Sequence, residues 1–123
     1  MLYVGDTENK FLFINRDKLK DLGVFELAHD KLPDVVAYSK EKDWVFFIEA
    51  VHTSGPISEL RKLTLDKLTE QMQSGKVYVS AFLDRAKFRA FIKDIAWETE
   101  VWIADSPDHL VHFNGDKFLG PYR

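Results

Sequence analysis

Two short apolar runs, Val35–Tyr38 and Trp44–Ile48, stand on either side of the polar stretch Ser39–Asp43. Runs of β-branched and aromatic residues around a charged connector predict a β-hairpin. With Lys40–Asp43 as its loop, Ser39 faces Trp44, Ala37 faces Phe46, Val35 faces Ile48 and Asp34 faces Glu49. Residues directly opposite in an antiparallel pair project to one face, with Cβ atoms roughly 4.5–5.5 Å apart. The second run continues through Ala50-Val51, and a strand that is apolar without alternation is expected to be covered on both faces.

Shorter signals flank the hairpin. Leu2–Val4 and Phe11–Ile14 read as strands around a Gly-Asp-Thr-Glu-Asn turn, followed by a helix from Arg16 to Leu22 capped by Asn15 and ended by Gly23. Val24–Ala28 extends this as a further helical turn. Downstream, Thr53-Ser54-Gly55-Pro56 is a tight connector, and Pro56 opens a helix reaching about Gln73. Its apolar face collects Ile57, Leu60, Leu65, Leu68 and Met72. Lys76–Phe82 is a strand, parallel to the one before because a long helix joins them. Asp84 caps another helix in which Phe88, Phe91, Ile92 and Ile95 repeat at helical spacing. Glu100–Ala104 and His109–Asn114 are the last strands, joined by a turn at Asp105–Asp108, and Asn114-Gly115 turns into the tail Lys117–Arg123. Strands interleaved with helices define an α/β fold, a mixed β-sheet flanked by helices.

Composition narrows the class more than the chemistry. A chain of 123 residues that is 46% hydrophobic suits a single domain with a substantial core. The absence of cysteine excludes disulfides and thiolate metal sites. No apolar run approaches the roughly 20 residues of a membrane helix, and the N-terminus lacks a signal-peptide pattern. A cytoplasmic protein without membrane attachment is the expectation. The formal net charge of −3 decides nothing about nucleic acid, because acids in a metal site and bases on a binding face cancel in the sum.

Candidate chemistry begins with Asp34 and Glu49. Like charges directly opposite destabilise a hairpin unless something lies between them, and a divalent cation serves. Solvation at a strand end is the competing explanation. Against it, Glu49 lies inside an apolar strand, where a carboxylate needs a partner.

The segments PDVVAY, FIEAVHTSGPIS, VYVSAFLDR, IAWETEVWIAD and HLVHFNGDKFLGPY extend the case along nearly the whole chain. They resemble the C-terminal domain of the BsuBI/PstI type II restriction endonucleases, within the PD-(D/E)xK nuclease superfamily. The resemblance implies a restriction-endonuclease-like catalytic domain over residues 1–123, without the family's N-terminal recognition region. It also implies Mg²⁺ or Mn²⁺ held by Asp34 and Glu49 with the Ala50 carbonyl, double-stranded DNA as substrate, and a homodimer in the intact enzyme. Mg²⁺ takes few protein carboxylates and keeps several waters, which suits a two-acid site.

One motif position departs. The superfamily lysine falls two residues after the Glu, where this chain has Val51. Three cations are candidates to replace it. Arg61 ranks first: on a helical wheel it falls among Ile57, Leu65 and Leu68 and points at the sheet, where it pairs with Glu49 or a phosphate, or merely anchors the helix. Lys62, on the flank of that face, ranks second, and His52, across the strand from Glu49, third. Glu26 and Glu59 are further acids, each readable as a surface residue. Ser54, in the loop before the helix, suits a phosphate contact. Arg85, Lys87, Arg89 and Lys93 either meet a DNA backbone or form a solvated face. His29, His109 and His112 lack zinc-site spacing. Trp97, Trp102 and Phe113 read as core. Two rival readings remain, an inactive DNA-binding domain that keeps the nuclease fold and an interaction domain.

Overall fold

The computed structural model describes residues 33–51 and 55–115, together with the short strands β1 (Tyr3–Val4) and β2 (Phe13–Ile14). The hairpin is β3 (Val35–Ser39) and β4 (Trp44–Ala50). Helix α1 (Glu59–Leu68) leads to β5 (Gly75–Phe82), and α2 (Arg85–Phe91) leads through a 3₁₀ turn at Ile92–Asp94 to β6 (Glu100–Ile103) and β7 (Leu110–His112). These strands form one mixed sheet in the order β2-β1-β3-β4-β5-β6-β7. β4, β5 and β6 run parallel, and the neighbours on either side are antiparallel. The expected helices at Arg16–Leu22 and Val24–Ala28 lie outside the described residues, as does the tail Lys117–Arg123.

The hairpin register is the one read from the apolar pattern: Val35 pairs with Ile48, Ala37 with Phe46 and Ser39 with Trp44. It places Val36, Val45 and Phe47 on one face, all fully buried beneath α1 with Ile57, Leu65, Leu68, Met72 and Tyr78. A second cluster on the same face unites Val51, Phe82, Ile95, Val101 and Ile103 beneath Phe88 and Phe91 of α2. Both described helices cover this face, while on the other face Val79 is buried and its neighbours are partly exposed. On the other face Phe46, Ile48, Val79, Ala81, Trp102 and Leu110 line an apolar groove of about 340 Å³. Leu110 there is half exposed.

Helix limits differ from the sequence pattern for local reasons. α1 starts after Ser58, whose hydroxyl accepts the Arg61 N–H at 3.2 Å, so a serine cap rather than Pro56 sets the first turn. It ends at Leu68, where the buried Thr69 hydroxyl turns back to the Leu65 carbonyl at 2.8 Å. Leu60, assigned to the apolar face by periodicity, is 76% exposed. α2 is capped by Asp84, as expected, but Phe91 ends it and the 3₁₀ turn rotates Ile92 outward.

Tyr78 ties β5 to α1 by donating its hydroxyl to Asp66 at 2.6 Å. Burial, and then that bond, push its phenol well above the ordinary tyrosine range. A folded-state pKa above the unfolded value adds stability at pH 10 and below, and this is lost as pH rises further. Alkaline denaturation should therefore be shallower in Tyr78→Phe than in wild type between pH 9 and the pH of unfolding, by urea melts at each pH. The packing of α1 is checked in dilute protein: Leu65→Ala should cost about 2–5 kcal/mol. Leu60→Ala, on the same helix, should stay within about 0.5 kcal/mol of wild type.

Candidate active site

Asp34 immediately precedes β3, and Glu49 is the penultimate residue of β4. The hairpin register brings them to the same end of the same face. Asp34 Oδ2 accepts the Ala50 N–H at 2.8 Å, closing the mouth of the hairpin beyond the last ladder pair. Glu49 is met by Arg61 through a two-pronged contact. Nη2 donates to Oε1 at 3.1 Å and Nε to Oε2 at 3.3 Å, and each side chain keeps only about a fifth of its surface exposed. Parallel N–H···O bonds of this kind fix orientation as well as charge, which a lysine would not do. The carboxylate repulsion expected between Asp34 and Glu49 is thus already offset within the chain: Arg61 answers one acid and a backbone amide the other.

Arg61 reaches Glu49 because the segment before α1 is pinned in place. The Ile57 N–H donates to the buried Ser80 hydroxyl at 3.0 Å, and the Ile57 carbonyl accepts the Ala96 N–H at 2.9 Å. Ser80 is the parallel-ladder partner of Glu49. One strand position on β5 therefore sets the distance between the carboxylate and the helix that carries its cation. Periodicity gave no hint of Ser80, since a serine in a strand reads as neutral. The only signal was its place in an otherwise apolar run, VYVSAF.

The remaining candidates fall in different places. Lys62, one residue on from Arg61, lines another cleft with Asp66, Ser74, Lys76, Tyr78 and Glu98. Val51, at the motif's lysine position, is 3% exposed inside the second core cluster. Glu59 is exposed, as expected, and its Oε2 accepts the Trp97 N–H at 2.9 Å. Arg85, Lys87, Arg89 and Lys93 are exposed on and just after α2. Trp97 is 59% exposed and not core, although its ring packs 5.9 Å from that of Phe113. His112 ends β7, its Nδ1 in contact with Glu100 and its Nε2 3.7 Å from Glu98. His109 is exposed in the turn before that strand. His52, Ser54, Glu26 and His29 lie outside the described residues. Among the described residues no group of three or more acids, histidines or cysteines is placed to hold a metal. No helix among them is long and apolar enough to cross a membrane.

An acid pair at the mouth of a hairpin, with a guanidinium in fork contact, on a mixed sheet of this order, has relatives. Residues 1–116 match the BsuBI/PstI restriction endonuclease domain, and the chain belongs to that family. It is 46% identical over its full length to the type II restriction enzyme BsuBI of Bacillus subtilis, covering 39% of that protein. It is 36% identical over 87% of its length to the type II restriction enzyme AplI of Arthrospira platensis, covering 34% of it. The fold is similar to that of the SdaI restriction endonuclease, with a TM-score of 0.84 and 43% identity over 98% of this chain and 38% of that one. The chain thus spans under two fifths of the length of each of these relatives.

The Asp34 contact can be separated from any role in metal binding. In EDTA, Asp34→Ala should lose about 1–3 kcal/mol, because the Ala50 N–H is left without its acceptor. Asp34→Asn should lose less than half of that, since the amide oxygen can still accept. Equal losses in urea melts would mean that the carboxylate's charge, rather than its hydrogen bond, holds the hairpin shut.

Proposed function

We propose that this chain is the catalytic domain of a type II restriction endonuclease and hydrolyses phosphodiester bonds in double-stranded DNA with the help of Mg²⁺ or Mn²⁺. The observation that carries the reading is the Arg61 fork on Glu49. It puts a permanent cation beside the motif acid in a chain whose motif lysine position is filled by a core valine. The family membership and the restriction enzymes among its relatives support the reading.

The donor set suits a hard cation: two carboxylates, Asp34 and Glu49, and the backbone carbonyl of Ala50 beside them are all oxygen ligands. A bound Mg²⁺ would supply an activated water and relieve charge on the phosphate and the leaving oxygen. The chain's own residues do the rest. Arg61 stays protonated at any working pH, so it cannot take a proton and serves as a charge on the phosphate side. The Asp34–Ala50 bond keeps the two acids in register. Glu49 has further lone pairs beyond those facing Arg61, so metal and guanidinium share one carboxylate.

The DNA surface extends from this site along the same sheet edge. β5 ends at Phe82 beside β4, and α2 follows within three residues, presenting Arg85, Lys87 and Arg89 to solvent. Those cations suit phosphate contacts that position DNA without reading its sequence. Ser54 before α1 would add another. Cutting both strands takes two sites, so the intact enzyme works as a homodimer.

Plasmid nicking by the purified 123-residue chain tests the reading. Cleavage should require Mg²⁺ or Mn²⁺ and vanish in Asp34→Asn and Glu49→Gln. Arg61→Ala should lower the rate by about 10²-fold or more, the usual loss on removing one charge-stabilising donor. Lys62→Ala and His52→Ala should retain more activity. Because Arg61 competes for Glu49, Arg61→Ala should also bind Mg²⁺ more tightly, read as a larger metal-induced rise in melting temperature. A variant that cleaves normally, or binds metal more weakly, would remove Arg61 from the site.

A further inference from the structure

We propose that the tip of the β6–β7 hairpin reads a base, with Asp105 and Asp108 accepting hydrogen bonds from the N4 amino group of a cytosine in the major groove. The tip stands at the catalytic edge of the sheet. β4, β5 and β6 run parallel, so the turn after β6 emerges at the same end as Glu49, two strand spacings or about 10 Å across. A cavity of about 630 Å³ opens there, lined by the apolar Val101 and Ile103 and by Arg85, Asp105, Asp108 and His109. β7 is the outermost strand, antiparallel to β6, and a two-stranded ribbon fits the major groove. The turn is built before any ligand arrives. The Ser106 N–H donates to the Ile103 carbonyl at 2.9 Å, the His109 N–H to the Ser106 carbonyl at 3.1 Å, and Trp102 Nε1 to the Pro107 carbonyl at 2.9 Å.

The sign of the charge selects the ligand. Asp105 and Asp108 are exposed, and neither forms an ion pair among the described residues, although Arg85 lines the same cavity. Phosphates repel acids, so these two cannot make the positioning contacts that suit Arg85. An ionised carboxylate only accepts hydrogen bonds, and its partner on DNA must be a donor. In the major groove the donors are the amino groups of cytosine and adenine. Adenine sets its N7 acceptor beside that donor, where it faces the carboxylate unfavourably, and cytosine does not. A pair of aspartates therefore selects cytosine. This use of the turn rests on the endonuclease reading, since it presumes that DNA lies along the edge that carries Glu49.

Retention of a random-sequence duplex pool by the full chain, at low salt in EDTA, tests the proposal without cleavage and without a metal to bridge acid and phosphate. Sequencing of the retained DNA from wild type should show cytosine enriched at one position by about fivefold or more, the low end for one good base contact. The double variant Asp105→Asn, Asp108→Asn should melt like wild type, because both residues are exposed. Its enrichment should move from cytosine to adenine, whose N6 and N7 an amide side chain matches. A merely structural role for the turn would not exchange one base for another. Arg85→Ala should weaken retention of all sequences alike and keep the cytosine preference, as expected of a phosphate contact. A wild type that retains no DNA, or retains it without base preference, would overturn the proposal. So would a double variant whose enrichment matches wild type, the behaviour of a merely solvated turn. A chain that nicks plasmid yet shows no base preference sinks this proposal alone, whereas cytosine preference without nicking sinks the nuclease reading and keeps the base contact.

Discussion

The register between β3 and β4 is the constraint on which the rest depends. Side chains alternate faces along a strand, so a slip of one residue would carry Glu49 to the face opposite Arg61 and expose Phe47. Two features hold the register. In the middle, Val36, Val45 and Phe47 are fully buried and could not all stay so in any other alignment. At the turn, Asp43 adopts the left-handed conformation at φ 55°. It accepts the Tyr38 hydroxyl at 2.8 Å and the Ser74 hydroxyl at 2.7 Å, and its carbonyl accepts the Gly75 N–H at 3.0 Å. Gly75 is needed there, since a Cβ would lie 2.7 Å from the Trp44 ring. The hairpin loop is thereby fastened to the start of β5, which joins the alignment of the acid pair to that of the parallel strands.

From that register the site follows by short-range links. Pairing of β4 with β5 puts Ser80 beside Glu49, the Ser80 hydroxyl holds Ile57, the Ser58 cap starts the helix one residue later, and Arg61 comes round on its first turn. Each link is a single hydrogen bond or ladder pair, worth on the order of 1 kcal/mol. Their effect is geometric: they fix where a guanidinium sits relative to a carboxylate. Val51 belongs to the same logic. It is buried under α2, and a lysine at that position would have to carry its charge into a packed cluster of valine, isoleucine and phenylalanine. A cation delivered from the helix above reaches Glu49 without entering the core.

Much of this was legible in the chain. The apolar runs specified the hairpin register because a period of two leaves little choice when one face is buried. The helical wheel put Arg61 on the sheet-facing side of α1, and Leu65 and Leu68 confirm that orientation. What could not be read depended on tertiary partners. Leu60 looks apolar and periodic, yet α1 starts late and its contact with the sheet is narrow, so that position turns to solvent. Glu59 is the surface acid its sequence suggests, but nothing nearby in sequence indicates that the Trp97 amide will arrive beside it. Which face each described helix covers could not be read either, because hydrophobicity alone does not say what lies against a strand.

The fork on Glu49 also separates this site from one built on a lysine. An ammonium on a flexible stem can move, titrate and serve as a base, whereas a guanidinium held by two parallel bonds does none of these. Wherever Arg61 supplies the positive charge, the proton from the attacking water must go elsewhere, to solvent or to a phosphate oxygen. Asp34 is a poor acceptor for it while its Oδ2 is engaged with the Ala50 N–H. The geometry therefore divides the work more sharply than the motif would. On the proposed reading the acids would hold metal and the arginine would hold charge and orientation, which leaves the proton to solvent or a phosphate oxygen.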